Sequence, residues 1–275
     1  CEPEWAALAS ELAPAAEVVS ATHARQDPHY IEARPSLIAQ LRRADLAICT
    51  GAELEAGWLP VLQQRAGNPK VQTGQPGMMF VSELVSLIDK RSDADRADGD
   101  VHADGNPHFH LDPVRLAKVA EALTARLQAI DPDRAPDYQT THQSWAQQWT
   151  QRMERWTQSA APLRDRTIVA QHSSFAYLWQ WLGIKQTADL EPKPGLPPTP
   201  AHLASIVAQV QASNPIAIVQ TLYQDKAPVQ WLQERTDVPP LSLPSTVTKE
   251  GDAATLTGLF DVVIGQLLAL PAVAN

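Results

Sequence analysis

Short apolar runs alternate with amphipathic helical patterns in two separate blocks of the chain. In the first block, strands are predicted at residues 18–22 and 44–49, and a helix over residues 53–63 follows the second. The second block has three predicted strands, at residues 167–171, 216–220 and 240–243. Strands that are joined through helices by short links form parallel sheets with helices packed on their faces. We therefore predict an α/β fold with a parallel sheet in each block.

Between the blocks, residues 137–161 carry the longest helical pattern in the chain. Neither Gly nor Pro interrupts it, and four large apolar side chains lie three or four residues apart: Trp145, Trp149, Met153 and Trp156. This spacing places them on one face, which we interpret as a packing surface. At about 1.5 Å per residue, such a helix can cross a whole domain. We therefore predict two lobes joined by a single long rigid α-helix, with the limits 1–134, 135–162 and 163–275.

Charge and hydropathy exclude several functional classes. The formal net charge is −9 and the Lys and Arg residues do not cluster, which argues against nucleic-acid binding. No apolar run reaches the roughly 20 residues that a membrane-spanning helix needs. The chain begins at Cys1 without an initiator Met, and we interpret this as a removed signal peptide or a trimmed start. Lipid attachment at Cys1 stays an open question at this stage.

The two cysteines are Cys1 and Cys49. Cys49 ends a predicted strand, and we interpret Cys1 as the end of a neighbouring one. Adjacent parallel strands place their carboxyl ends side by side, within disulfide reach. We favour a Cys1–Cys49 disulfide over two free buried thiols, and an oxidising compartment would follow from it.

Three of the eight histidines share a structural context. His29 and His108 follow Asp-Pro and Asn-Pro in stiffened loops, and His172 directly follows a predicted strand. Ligands of open parallel sheets bind beyond the carboxyl ends of the strands, so we expect these side chains to meet in the cleft between the lobes. Three imidazoles with a fourth open position suit zinc, although imidazole also binds Cu, Ni or Fe.

The other five histidines are weaker candidates for metal ligands. His142 lies on the long predicted helix and His202 begins another, so we interpret both as structural. His23 and His102 lie in loops, and His102 is the best candidate for an auxiliary metal ligand. His110 has three open interpretations, which are a ligand, a group that supports the ligands, or part of the start of a helix.

Three segments together resemble the zinc/manganese-specific solute-binding proteins of ABC transporters, the cluster A-I group. They are DPHYIEARPS at residues 27–36, ADLAICTGAELE at residues 44–55 and NPHFHLDP at residues 106–113. The resemblance extends over essentially the whole chain and implies two α/β lobes joined by a rigid helix, with a metal ion between them. It also implies that His29, His108 and His172 are the three protein ligands. Manganese-preferring members carry a carboxylate at the third position, so His172 favours a zinc-type member.

The chain departs from the family pattern in three places. Some members have a fourth, carboxylate ligand in the C-terminal strand-loop, but residues 241–246 contain no acid. The usual aromatic residue two places after the second ligand is replaced by His110, and the long His-rich loop is reduced to His102 and several Asp residues. The fourth ligand therefore stays open among water, His110, His102 and a carboxylate.

The resemblance implies a monomeric periplasmic protein that captures Zn²⁺ as cargo and delivers it to an ABC permease, without enzymatic activity. One alternative is a metal-dependent adhesin or interaction module on the same fold. Another is a zinc hydrolase, although the chain lacks a His-Glu-x-x-His motif that would supply a general base. Mn²⁺ and Cu⁺ rank behind Zn²⁺ as cargo, because the ligand set offers neither Met, thiolate nor carboxylate.

Overall fold

The computed structural model describes residues 1–91 and 102–271. In the N-terminal half, the described elements are α1 (Pro3–Leu12), α2 (Pro35–Arg43), β1 (Ala47–Cys49), α3 (Leu59–Ala66), β2 (Met78–Phe80) and α4 (Pro113–Ile130). Strands β1 and β2 pair in parallel, with Ile48 opposite Met79. Among the described residues, no helix combines the length and the apolar character needed to cross a bilayer.

The C-terminal half is built on a larger parallel sheet. Its described elements are β3 (Thr167–Ala170), α6 (Ala176–Leu182), β4 (Lys185–Asp189), α7 (Pro200–Ser213), β5 (Ile218–Thr221), α8 (Ala227–Thr236), β6 (Pro240–Leu243) and α9 (Leu256–Leu268). The strand order is β4-β3-β5-β6, and every neighbouring pair is parallel. The central strands β3 and β5 are the most deeply buried, which agrees with helices covering both faces of the sheet.

A helix of 25 residues, α5 (Ala135–Ser159), connects the halves. Its tryptophan stripe is buried and each indole nitrogen donates to a different helix. Trp145 Nε1 donates to Glu11 on α1 (2.6 Å), Trp149 Nε1 to the Pro113 carbonyl on α4 (2.9 Å), and Trp156 Nε1 to Asp261 on α9 (2.6 Å). The stripe is therefore a packing surface, as predicted, and it fastens α5 to helices of both halves.

The predicted fold of two parallel sheets flanked by helices and joined by a long helix is confirmed. The predicted strand at residues 18–22 is wrong, because the only backbone partner of this segment within the described residues is the Cys1 carbonyl. The helix predicted over residues 53–63 begins only at Leu59, since Ala52 and Glu53 have positive φ angles of 49° and 66° that no α-helix adopts.

Strands β2 and β4 were missing from the sequence prediction. β2 has only three residues, and β4 is an edge strand whose Lys185-Gln186-Thr187-Ala188-Asp189 sequence lacks an apolar run. Both depend on tertiary pairing rather than on local pattern. The lobe limits at residues 134 and 163 stay a prediction.

The Cys1–Cys49 disulfide is confirmed, with a Cα–Cα distance of 4.8 Å. Cys49 ends β1 as predicted, whereas Cys1 lies beside that strand without ending an assigned one. The Cys1 nitrogen donates to the Ile48 carbonyl at 2.6 Å, which places the two sulfur atoms on neighbouring backbones.

Tyr177 on α6 joins the two halves near the predicted site. Its buried hydroxyl donates to the Asn106 carbonyl (2.6 Å) and accepts from the Ile88 nitrogen (3.0 Å). The Asn106 side-chain amide donates in turn to the Ser173 carbonyl at 3.1 Å. Burial raises the pKa of Tyr177 to about 12, so the hydroxyl stays protonated and continues to donate. These bonds position the loop that carries His108 against the C-terminal half.

Loss of the disulfide should destabilise the fold. It links residues separated by 48 positions, and a crosslink over a loop of this size restricts the unfolded chain. For Cys49→Ser we expect a decrease in the free energy of unfolding of about 2–4 kcal/mol, measured by urea denaturation. Cys1→Ser and the dithiothreitol-reduced wild type are matched controls that should show the same loss. Equal stability of oxidised and reduced wild type would contradict this prediction.

Removal of the Tyr177 hydroxyl should weaken the contact between the halves. Tyr177→Phe keeps the ring but leaves the Ile88 nitrogen and the Asn106 carbonyl without this partner, with an expected cost of about 1–3 kcal/mol in unfolding free energy. Faster hydrogen exchange of the Ile88 amide should accompany it. Tyr138→Phe is the control, since it removes one hydrogen bond to Asp131 and should cost less. An unchanged Ile88 exchange rate would show that the hydroxyl does not hold this loop.

Candidate metal centre

Two neighbouring contacts hold His29 in the loop between α1 and α2. Asp27 Oδ1 accepts hydrogen bonds from the His29 backbone nitrogen (3.0 Å) and from His29 Nδ1 (2.7 Å). Trp58 Nε1 donates to the Pro28 carbonyl at 2.9 Å and anchors the same loop. Burial alone would raise the pKa of Asp27, but the hydrogen bond and charge of His29 hold it below its ordinary value. Asp27 is therefore ionised at neutral pH and keeps a proton on His29 Nδ1.

His108 lies in the loop directly before α4. Asn106 Oδ1 accepts from the His108 nitrogen at 2.9 Å, and Asp112 caps the first turn of α4. The residue is 5% exposed, and its Nε2 has no hydrogen-bond partner among the described residues. Burial, with the charges of the surrounding histidines, lowers the pKa of His108 well below its ordinary value. A neutral ring with a buried, unpartnered nitrogen is costly unless that nitrogen binds something.

His172 lies two residues after the end of β3, and Glu191 lies two residues after the end of the neighbouring strand β4. Their side chains meet because the carboxyl ends of parallel strands lie at the same edge of the sheet. Glu191 Oε2 lies 2.8 Å from His172 Nδ1 and also accepts from the Gly195 nitrogen at 2.7 Å. The carboxylate orients the ring, as Asp27 does for His29.

The three side chains that the sequence predicted as ligands lie together between the halves. The ring centroids of His29 and His108 are 5.8 Å apart, those of His108 and His172 are 5.4 Å apart, and those of His29 and His172 are 6.3 Å apart. The corresponding interplanar angles are 75°, 79° and 82°, so the rings face a shared space edge to face rather than stacking. A cleft of about 640 Å³ borders this space and is lined by residues of both halves.

His102 adds a fourth imidazole to this group. Its ring centroid lies 5.3 Å from that of His29, and the two Nε2 atoms are 3.2 Å apart. Burial, followed by the charges of His29 and His172, lowers the pKa of His102 to about 4. The ring is therefore neutral at physiological pH. The remainder of the polar loop, residues 92–101, lies outside the described residues.

His110 points away from the group. Its Nε2 donates to the Ser245 carbonyl at 2.6 Å, and its Nδ1 lies 3.2 Å from Glu4 Oε1, which is an ion-pair distance without hydrogen-bond alignment. Glu4 also accepts a hydrogen bond from the Thr246 hydroxyl. Of the three interpretations left open by the sequence, the structure favours a structural role that ties α1, the His108 loop and the C-terminal loop together.

The other histidines have ordinary structural contacts. The His142 ring stacks on Trp145 at 6.4 Å, and His202 Nε2 donates to the Asp189 carbonyl at 3.0 Å. His23 is exposed, and its Nδ1 accepts from the Arg25 nitrogen at 3.3 Å. The structural interpretation of His142 and His202 agrees with these contacts.

A compact group of potential ligand atoms also surrounds the disulfide. Cys1, Cys49 and Glu55 have ligand atoms that all lie within 4.8 Å of one another. The two sulfur atoms are bonded to each other, however, and Glu55 accepts from the backbone nitrogens of Thr50 (2.6 Å) and Gly51 (2.9 Å). This group is therefore a structural junction that closes the turn after β1.

Sequence reasoning missed both carboxylates that orient the histidines. Asp27 carried a local signal, since an Asp two residues before a backbone nitrogen commonly accepts from it. Glu191 carried none, because β4 was not recognised as a strand.

Comparisons with known proteins agree with this architecture. The family described as "ZnuA: Zinc-uptake complex component A periplasmic" matches residues 2–269. The zinc-binding lipoprotein AdcA of Streptococcus pneumoniae is 26% identical over 194 residues, covering 70% of this chain and 38% of AdcA. This chain thus matches well under half the length of that curated relative.

Solved structures of low sequence identity share the fold. A crystal structure of ZnuA has a TM-score of 0.80 at 16% identity and covers 98% of this chain and 97% of its own. A Mn-bound periplasmic metal binding protein from Candidatus Liberibacter asiaticus has a TM-score of 0.77 at 17% identity, with 96% and 95% coverage. Because the family match extends over nearly the full length and the predicted motif resemblance is confirmed, this chain belongs to the ZnuA family of periplasmic zinc-uptake components.

Proposed function

We propose that this protein captures one Zn²⁺ per chain between its two halves and passes it to an ABC permease in the periplasm. His29, His108 and His172 are the proposed ligands. The observation that carries the proposal is the buried Nε2 of His108, which lacks a hydrogen-bond partner among the described residues and belongs to a ring beside two further imidazoles. Zinc is the cargo of this site and undergoes no chemical conversion.

The hydrogen bonds around the rings favour metal binding through Nε2. Asp27 and Glu191 each lie beside Nδ1 of a histidine, at 2.7 Å from His29 and 2.8 Å from His172. A carboxylate in this position holds the proton on Nδ1 and leaves the lone pair of a neutral imidazole on Nε2. Two proposed ligands therefore have the tautomer that a metal requires before any ion arrives.

The chemistry of the ligands favours zinc over manganese. Imidazole nitrogen is a preferred ligand of Zn²⁺, whereas Mn²⁺ favours carboxylate, carbonyl and water oxygen. The two carboxylates at the site are hydrogen-bonded to imidazoles, so the set that faces the shared space is rich in nitrogen. The Mn-bound relative shows that this fold also accommodates manganese, so the choice depends on the ligand set.

The transport role is supported by the family and by the relatives. The matched family is a zinc-uptake component, and AdcA is a zinc-binding lipoprotein. The site lies between halves that α5 fastens together through three indole hydrogen bonds. We infer a protein that acts as a monomer and releases zinc through rearrangement of the loops that carry the ligands.

A hydrolytic role has less support. A zinc hydrolase needs a general base within reach of metal-bound water. The carboxylates nearest to the proposed ligands, Asp27 and Glu191, are already occupied by hydrogen bonds to His29 and His172. We therefore propose binding and transfer without catalysis.

Removal of one proposed ligand should abolish tight zinc binding. His108→Ala deletes the imidazole with the unpartnered nitrogen, and we expect zinc affinity to fall by more than about 100-fold, beyond the effect typical of groups that only orient ligands. Competition against a chromogenic chelator measures it. His142→Ala is the matched control, since that ring stacks on Trp145 of α5 and is not a proposed ligand. Unchanged zinc affinity in both variants would refute the proposed function.

Removal of the orienting charge should weaken zinc binding without abolishing it. For Asp27→Asn and Glu191→Gln we expect an affinity decrease of about 10–100-fold, with one zinc per chain retained. The same competition assay, with metal content determined by mass spectrometry, distinguishes weaker binding from loss of the site. Asp45→Asn is a suitable control, because Asp45 forms an exposed ion pair with Lys70. Wild-type affinity in both test variants would mean that the carboxylates do not orient the ligands.

A further inference from the structure

We propose that His102 is the fourth zinc ligand, an inference that rests on the proposed function and completes its site. The sequence left this position open among water, His110, His102 and a carboxylate. The structure distinguishes these candidates by where their polar atoms point.

The distance between His102 and His29 fits a shared ion. Four nitrogen ligands about 2.0–2.1 Å from a tetrahedral zinc lie about 3.3–3.4 Å from one another. His29 Nε2 and His102 Nε2 are 3.2 Å apart. The Asp27 contact already leaves the lone pair of His29 on Nε2, so His102 meets the nitrogen that the proposed site would use.

The competing protein ligands are committed elsewhere. His110 directs Nε2 to the Ser245 carbonyl and Nδ1 toward Glu4. Asp27 and Glu191 are hydrogen-bonded to Nδ1 of His29 and His172, on the opposite side of each ring from Nε2. Residues 241–246 contain no acid that could take the position. Water is the remaining competitor, and the 3.2 Å approach of His102 Nε2 to His29 Nε2 favours the imidazole over it.

The backbone after His102 holds the residue in place. The Ala103 nitrogen donates to Glu53 Oε2 at 3.0 Å, and the Gly105 nitrogen donates to the His102 carbonyl at 3.1 Å. Gly105 has φ of +115°, and a Cβ there would lie 2.6 Å from the Ile88 carbonyl oxygen. The glycine allows the chain to turn tightly against residue 88, which brings His102 over the His29 loop.

A plain hydrogen bond is the alternative explanation of the same contact. With a proton on its Nε2, neutral His102 could donate to His29 Nε2 at 3.2 Å. The two explanations differ in their consequence, since a hydrogen-bonded neighbour contributes little to zinc affinity or to the coordination geometry. A ligand contributes to both.

A fourth imidazole would determine metal selectivity. Four neutral nitrogens give the closed tetrahedral site that suits Zn²⁺, whereas three nitrogens and water leave an open position that accommodates other geometries. Mn²⁺ gains little from the fourth nitrogen because it favours oxygen ligands. His102 is thus expected to strengthen zinc binding more than manganese binding.

The test compares His102→Ala with the wild type, with His108→Ala and with the control His110→Ala. Zinc and manganese affinities are measured by competition, and Co²⁺-loaded proteins are compared by visible absorption, which reports the coordination geometry. Metal-free melting temperatures identify any variant that has lost its fold. We expect His102→Ala to bind zinc at least about tenfold more weakly, to lose much less affinity for Mn²⁺ and to change the Co²⁺ spectrum. His110→Ala should keep the wild-type spectrum.

The outcomes separate this proposal from the function on which it rests. If His102→Ala keeps wild-type zinc affinity and the wild-type Co²⁺ spectrum while His108→Ala loses zinc, the ligand role of His102 is refuted and the zinc site stands. A weaker affinity with an unchanged spectrum also refutes ligation, because His102 would then only support the site. If His108→Ala keeps zinc as well, both proposals fail.

Discussion

The structure depends on the way that α5 satisfies its buried indole nitrogens. An unpaired N–H group in the interior costs about 1–3 kcal/mol, so each tryptophan of the stripe requires an acceptor. The acceptors are Glu11 on α1, Pro113 on α4 and Asp261 on α9. Because α1 and α4 belong to the N-terminal half and α9 to the C-terminal half, one helix sets the relative position of both. A site between the halves can then form with limited movement.

The candidate metal centre combines residues at the ends of parallel strands on one side with residues in stiffened loops on the other. His172 and Glu191 meet because β3 and β4 end at the same edge. His29 and His108 come from loops in which proline restricts the backbone. In each loop, a neighbouring side chain accepts a hydrogen bond from the histidine's backbone nitrogen. Both arrangements fix the imidazoles before any ion binds. Preorganisation of this kind reduces the ordering cost of binding.

The contacts that close the two halves are polar and lie around the site. The Tyr177 hydroxyl accepts a hydrogen bond from the Ile88 nitrogen and donates one to the Asn106 carbonyl, so it joins two backbone segments. Glu4 and His110 connect α1 with the C-terminal loop at Ser245 and Thr246. His110 therefore takes part in joining the halves, whereas its neighbour His108 faces the shared space. Two histidines that are separated by one residue thus have different roles.

The sequence alone was sufficient for the architecture and for much of the site. Hydrophobic periodicity predicted the two α/β blocks and the connecting helix, because burial of one helical face leaves a repeating pattern. The positions of the two cysteines predicted the disulfide, and the local context of His29, His108 and His172 singled out three imidazoles that lie together. Strands β2 and β4 were not predictable. β2 has only three residues, and β4 is a polar edge strand, so neither shows a clear hydrophobic periodicity.

Only the tertiary structure could distinguish His102 from His110. Both lie near His108 in sequence, and no local sequence feature indicates the direction of either side chain. The direction of His110 is decided by Ser245, which is 135 residues away, and that of His102 by its approach to His29, 73 residues away. The carboxylate partner of His172 was likewise decided by strand pairing rather than by spacing. Side-chain direction at a site between two halves depends on contacts that form only when the halves come together.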